Sequence, residues 1–215
     1  MLPVVDTRGN VVAFGSRVLD KSEPKYMNSS ETPVYSKRRV LYGLNLAKKT
    51  KRPNMILCEG NLDIVTLHQA GFDNAVASMG TALTVEQTRL LARFTKELVL
   101  CYDNDNAGKI ATERALQILD QSEFSVKVLQ LPRRLVDGES VKQDADDFIK
   151  FQGPDAFERL LSGSENGVEY RMAVIASKYN LSSDTQKVAY SRDVSTLLST
   201  LENPVEREVY ANRAA

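Results

Sequence analysis

The chain has 215 residues, enough for one large domain or a domain with a smaller companion, and it can bury a core without disulfide staples. Its 28 basic and 28 acidic residues cancel to a formal net charge of zero, so the whole-chain balance offers no pointer to nucleic acid. The cancellation is between segments: residues 1–52 carry eleven bases against four acids (+7), residues 53–150 ten against fifteen (−5), and residues 151–215 seven against nine (−2).

In chain order, Val4-Val5 and Val11–Phe14 flank the turn-rich stretch 6–10 and predict a hairpin. Asp6, Arg8 and Asn10 interrupt any signal-peptide core at the N-terminus. Pro24 and Pro33 keep residues 20–36 out of regular helix, and the basic run Lys37-Arg38-Arg39 follows. From residue 53 short apolar runs alternate with helical patterns. Strands are expected at 55–58, 75–77, 98–102 and 126–131, and helices at 62–70, 84–94 and 107–119. That alternation predicts an α/β fold with a parallel sheet flanked by helices.

A polar loop at 137–140 precedes the acid cluster Asp144, Asp146 and Asp147. Beyond Gln152-Gly153-Pro154 the pattern is all-helical, with core stripes at Val168, Met172, Ile175 and Tyr179 and at Tyr190, Val194, Leu197, Leu198 and Leu201. Three parts are therefore expected: a basic mixed α+β segment (1–52), a parallel-sheet domain (53–152) and a helical subdomain (153–215). No run approaches the roughly 20 apolar residues that cross a bilayer, so a soluble protein without a membrane partner is expected.

Other site chemistries are poorly supported. Cys58 and Cys101 lie in apolar runs and read as buried, reduced thiols in a cytoplasmic protein, too few for a zinc cage even with His68. His68 itself reads as a structural side chain on a helix. Gly108-Lys109 lacks the rest of a P-loop, and no G-x-S-x-G elbow is present.

Ligands of an open parallel sheet bind beyond the carboxyl ends of its strands. Glu59 directly follows the first expected strand of the sheet domain, and Asp103 directly follows the third; Asp105 is two residues on, in the same turn. Asp63 falls in the first turn of the following helix, while Asp144 and Asp146 lie beyond the fourth strand. Any one of these acids alone is more often a solvated helix cap or surface charge than a ligand. Converging on one rim, they would repel one another and raise each other's pKa, a penalty that a divalent cation removes. Hard oxygen donors with room for water favour Mg²⁺ or Mn²⁺.

Glu59-Gly60-x-x-Asp63, Met79–Thr84 and Asp103-x-Asp105-x-Ala107-Gly108 resemble the toprim domain of bacterial DNA primase, of the DnaG type. Gly9–Leu19, Pro24–Ser29 and Lys37–Leu44 are similar to the segment that precedes it, and Asp144-Ala145-Asp146-Asp147-Phe148 to its last acidic motif. The resemblance covers about residues 3–160 and implies a toprim-type sheet within a replicative polymerase core. It implies a nucleotidyltransferase that makes short RNA primers from ribonucleoside triphosphates on a single-stranded DNA template, with Mg²⁺ (Mn²⁺ substituting). Glu59, Asp103 and Asp105 would be catalytic, and with Asp63, Asp144 and Asp146 would hold the metals. Lys25, Asn28, Lys37 and Arg38 would contact nucleotide or DNA.

The resemblance further implies a monomeric fragment of a longer cytoplasmic replisome protein, with its helicase-binding domain outside this chain. Asn61, Asn104 and Asn106 depart from the family pattern, which has an aromatic residue, a glycine and an arginine there; Lys109 replaces an arginine. Two alternatives stay open on the residues: a toprim-type nuclease with the same acids, and a non-catalytic nucleic-acid or nucleotide-binding module.

Overall fold

A computed structural model describes residues 1–18, 23, 26–79 and 82–214. These divide into two compact units, Met1–Ser164 and Glu165–Ala215.

The first unit opens with an antiparallel sheet of β1 (Leu2–Val5), β2 (Val11–Arg17) and β3 (Tyr26–Asn28). The β1–β2 hairpin is the expected one; its turn is closed by Asp6, whose carboxylate accepts the Arg8 and Asn10 amides at 2.8 and 2.9 Å. β3 was not expected, because three residues beside a proline carry too little period-2 signal to read as a strand. Val4, Ala13, Tyr35 and Met79 form a small buried cluster under this sheet.

Residues 40–48 join the antiparallel sheet to the parallel one. Tyr42 and Ala77 exchange backbone hydrogen bonds at 2.9 and 3.0 Å, which covers the edge of the second sheet. Gly43 starts the one-turn helix α1 (Leu44–Ala47) at φ 82°; a Cβ there would also sit 2.6 Å from Ile64 Cγ2, so only glycine fits.

The parallel strands are β4 (Asn54–Cys58), β5 (Ala75–Ala77), β6 (Glu97–Cys101) and β7 (Ser125–Val128), in the order β7-β6-β4-β5. Helices α2 (Asn61–Gln69), α3 (Val85–Leu91) and α4 (Asn106–Leu119) alternate with them. β4 and β6 are buried along nearly their whole length, as strands covered on both faces must be. Cys58 and Cys101 are buried free thiols opposite each other on these strands, and the His68 ring bonds the Ala75 carbonyl at 2.9 Å as a structural side chain.

The polar loop expected at 137–140 is the tip of a hairpin, β8 (Arg134–Val136) and β9 (Glu139–Val141). Asp137 and Gly138, both at positive φ, make its turn. Then come α5 (Ala145–Gln152) and α6 (Pro154–Ser162). Phe157 of α6 is fully buried and meets Phe72 and Phe148 edge-on at ring distances of 4.8 and 6.0 Å, so α6 belongs to the core of the sheet unit. Arg52 pairs with Glu158 at 3.0 Å and stacks over Phe72, fastening α6 to the segment before β4.

The second unit contains α7 (Gly167–Ala176), α8 (Asp184–Ser199) and α9 (Pro204–Ala214). Asn166 caps α7 by accepting the Val168 and Glu169 amides. The stripes read from the sequence close a core of Met172, Val194 and Leu198, flanked by Val168, Ile175, Tyr190, Leu197 and Leu201. No helix among the described residues is long and apolar enough to cross a membrane.

Candidate metal centre

The chain passes from β4 to β5 on one side and then returns to β6 on the other, so the strand order reverses between β4 and β6. Connections that leave in opposite directions open a crevice beyond the carboxyl ends of those two strands. Glu59 is the first residue after β4, and Asp103 stands two residues after the end of β6. The Asp103 amide donates to Glu59 Oε1 at 3.3 Å, fixing the two side by side.

Each remaining acid is held by a helix terminus. Asp63 lies in the first turn of α2, where its two oxygens accept the Gly60 and Asp146 amides, both at 3.1 Å. Asp105 caps α4 by accepting the Gly108 amide at 2.9 Å. A Cβ on Gly108 would fall 1.9 Å from the Asp103 carbonyl oxygen, so only glycine lets α4 start this close to the strand end. Asp144 caps α5 by accepting the Asp147 amide at 2.8 Å. One carboxylate oxygen from each of Asp144, Asp146 and Asp147 falls within 4.8 Å of the others.

A cavity of about 480 Å³ opens over this rim. Glu59, Asp63, Asp103, Asp144 and Asp147 line it together with Lys142. Ser16, Arg17, Tyr26 and Asn28 of the antiparallel sheet line it too, as do Asn61 and Met79. Arg17 lies over the Tyr26 ring, 5.4 Å from its centroid. Met79 reaches the cavity from a left-handed backbone (φ 46°), a conformation uncommon for a long side chain.

The carboxylates differ in electrostatic state. Burial pushes Asp63 up to about 7, with the Asp144 charge adding to it. Glu59 is raised by burial and then by Asp103, and Asp103 by burial and then by Asp144. Asp105 moves the other way. Lys142 donates to its Oδ2 at 2.8 Å, and this bond, with the Gly108 amide, holds the carboxyl below the usual range.

The structure brings Glu59, Asp63, Asp103 and Asp144 to one cavity and joins Asp105 to it only through its bond to the lining residue Lys142. Asp146 is turned toward α2, bonded to the Thr66 hydroxyl at 2.5 Å and to Lys150 at 2.6 Å. Its neighbour Asp147 lines the cavity instead. Asn28 is a lining residue, whereas Arg38 pairs with Glu86 at 3.4 Å and Lys37 gives its carbonyl to Gln87, both beside α3. Lys25 lies outside the described residues. Arg17, Tyr26, Asn61 and Lys142 are lining residues that sequence reasoning did not select.

Parts of the chain match known protein families. Residues 56–149 match a family described as toprim-like, residues 1–48 the N-terminal domain of the DNA primase catalytic core, and residues 168–215 the DnaB-helicase binding domain of primase. The solved RNA polymerase domain of Mycobacterium tuberculosis primase DnaG, in complex with double-stranded DNA, is similar at a TM-score of 0.83 and 31% identity, over 99% of this chain and 68% of that one. The chain belongs to the DnaG-type DNA primase family. A DnaG catalytic domain solved with bound single-stranded DNA is similar at a TM-score of 0.77 and 32% identity, over 98% and 67% of the two chains. A DNA primase of Clostridium acetobutylicum is 40% identical over 214 residues, 99% of this chain; the chain spans 34% of that relative's length.

The sequence resemblance implies a helicase-binding domain outside this chain, yet residues 168–215 match the DnaB-helicase binding domain of primase. The stripes on α7 and α8 read only as core because an amphipathic helix looks the same in sequence whether its other face meets water or a partner.

Proposed function

We propose that this chain is the catalytic core segment of a bacterial DNA primase, a nucleotidyltransferase that joins ribonucleoside triphosphates into short RNA primers on single-stranded DNA. One observation carries the reading: carboxylates from the ends of two adjacent parallel strands and from two helix termini meet in one cavity, in a chain of the DnaG family.

The residues fit divalent metal. The donors are all hard oxygens, and the raised Glu59, Asp63 and Asp103 report mutual repulsion and burial that a bound cation would offset. In this reading Glu59, Asp103 and Asp105 are the catalytic carboxylates and, with Asp63 and Asp144, hold Mg²⁺, which Mn²⁺ can replace; Asp146, within 4.8 Å of Asp144 and Asp147, joins them by giving up its bonds to Thr66 and Lys150. Bound divalent ions supply Lewis acidity toward the attacking 3′-hydroxyl and neutralise charge on the reacting phosphates. The chain's own groups bind and orient. Arg17 faces the cavity as a phosphate contact, Tyr26 offers a ring for a base, and the amides of Asn28 and Asn61 offer hydrogen bonds to ribose or base. Lys25, Lys37 and Arg38 supply charge to the template backbone, which binds without reading sequence. Residues 168–215 engage the replicative helicase, and the chain acts as a monomer in the cytoplasmic replisome.

The test is incorporation of labelled ribonucleotides on single-stranded DNA by the 215-residue chain with Mg²⁺ or Mn²⁺. Short RNA products that vanish with chelator are expected. DNA cleavage without incorporation would overturn the reading in favour of a nuclease, and DNA binding without either reaction would leave a non-catalytic module.

A further inference from the structure

Lys142 is the one basic side chain among the described residues that lines the cavity and pairs directly with the acidic rim. Its ammonium lies 2.8 Å from Asp105 Oδ2 and 3.9 Å from Asp103 Oδ2, so it bridges two carboxylates from opposite ends of one turn. It stands between β9 and the helix cap Asp144, with a side chain 56% exposed. A half-exposed ion pair is weak, whereas a divalent ion held by several carboxylates at once is strong. The metal therefore wins the carboxylates, and the freed ammonium remains tethered at the mouth of a cavity that must accept a highly charged triphosphate.

We propose that Lys142 is a nucleotide-positioning residue with two alternative anions: it competes with divalent cations for Asp103 and Asp105 and, once displaced, binds the phosphates of the incoming nucleoside triphosphate. The inference rests on the metal-centre reading above and adds to it a residue with opposite effects on two ligands. A flexible four-carbon stem ending in a compact charge suits such a swing. Arg17 is the other cation lining the cavity among the described residues, so loss of Lys142 halves the positive charge there available to phosphate.

The experiment is calorimetric titration of the 215-residue chain and its Lys142→Ala and Lys142→Arg variants, first with MnCl₂ alone and then with ATP in saturating Mn²⁺. For Lys142→Ala the expected result is Mn²⁺ binding roughly three- to fivefold tighter and ATP binding roughly tenfold weaker than in the parent. Lys142→Arg should restore most of the ATP affinity, because charge suffices for a phosphate contact. An unchanged Mn²⁺ affinity in Lys142→Ala overturns the competition, and an unchanged ATP affinity overturns the phosphate role. Asp103→Asn, titrated alongside, keeps this separate from the metal-centre reading. If the parent binds Mn²⁺ and Asp103→Asn does not, the centre stands and only the lysine is at issue. If the parent binds no Mn²⁺, both fall.

Discussion

Asp63 and Asp105 are both aspartates at the start of a helix leaving the same edge of one sheet, and both accept backbone amides. Asp63 is 6% exposed and raised to about 7, while Asp105 is bonded to Lys142 and is lowered. The amide bonds favour the charged form in both, so burial and the neighbouring charge decide the difference. The rim thus has an inner end crowded with like charge and an outer end already neutralised by the protein. A divalent ion gains most at the inner end and meets a competitor at the outer one.

The largest expected effect breaks the inner end directly. Glu59→Gln should lower primer synthesis roughly a hundredfold or more, measured as labelled ribonucleotide incorporation, with the circular dichroism spectrum unchanged. The shape is kept and only the charge is lost, so a variant of near-normal activity would remove Glu59 from the centre.

Asp63 sharpens the comparison through pH. Between the ordinary carboxylate value and about 7 the folded protein holds a proton that the unfolded chain has already released. Stability from this group is therefore complete below the ordinary value and lost as pH rises through about 7. Asp63→Asn removes that loss. Relative to the parent in metal-free buffer, the variant should gain roughly 2–4 kcal/mol between pH 4 and pH 8, read from urea midpoints. Parallel pH profiles would contradict the inner-end assignment.

Gly108→Ala tests the turn that joins the two ends. The added methyl collides with the Asp103 carbonyl, so α4 or Asp103 must shift, at about 1–3 kcal/mol of stability and with weakened Mn²⁺ binding. A variant normal in both would show that the approach is looser than the structure has it. At the outer end the effect is smaller. Asp105→Ala should cost about 1 kcal/mol as a lost helix cap, and Asp105→Ser should recover most of it. Equal melting curves for the two would mean that the pairing with Lys142, rather than the cap, is what Asp105 contributes.

Much of this was legible in the sequence where the signal is local. The runs ending at Cys58 and Cys101 read as buried strands, and Glu59 and Asp103 at their ends followed from where such sheets bind ligands. Among the three neighbouring acids 144, 146 and 147, which side chains line the cavity was not legible. A helix turns about 100° per residue, so once Asp144 becomes the cap, Asp146 rotates toward Thr66 and Asp147 toward the cavity. That phase is set by α5 packing on α2, a contact far apart in sequence. Lys142 was hidden because β9 is short and wholly exposed, leaving no periodic pattern to aim it. Phe157 lay past a Gly-Pro break, and only tertiary packing on Phe72 and Phe148 returns it to the sheet core.

As proposed above, Glu59, Asp63, Asp103 and Asp144 form a divalent-metal site at the inner end of the rim. Mn²⁺ titration, by calorimetry or electron paramagnetic resonance, of the parent beside Glu59→Gln and Asp103→Asn tests this. Saturable binding is expected in the parent, with affinity reduced roughly tenfold or more in each variant. Unchanged Mn²⁺ affinity in both variants would rule the site out.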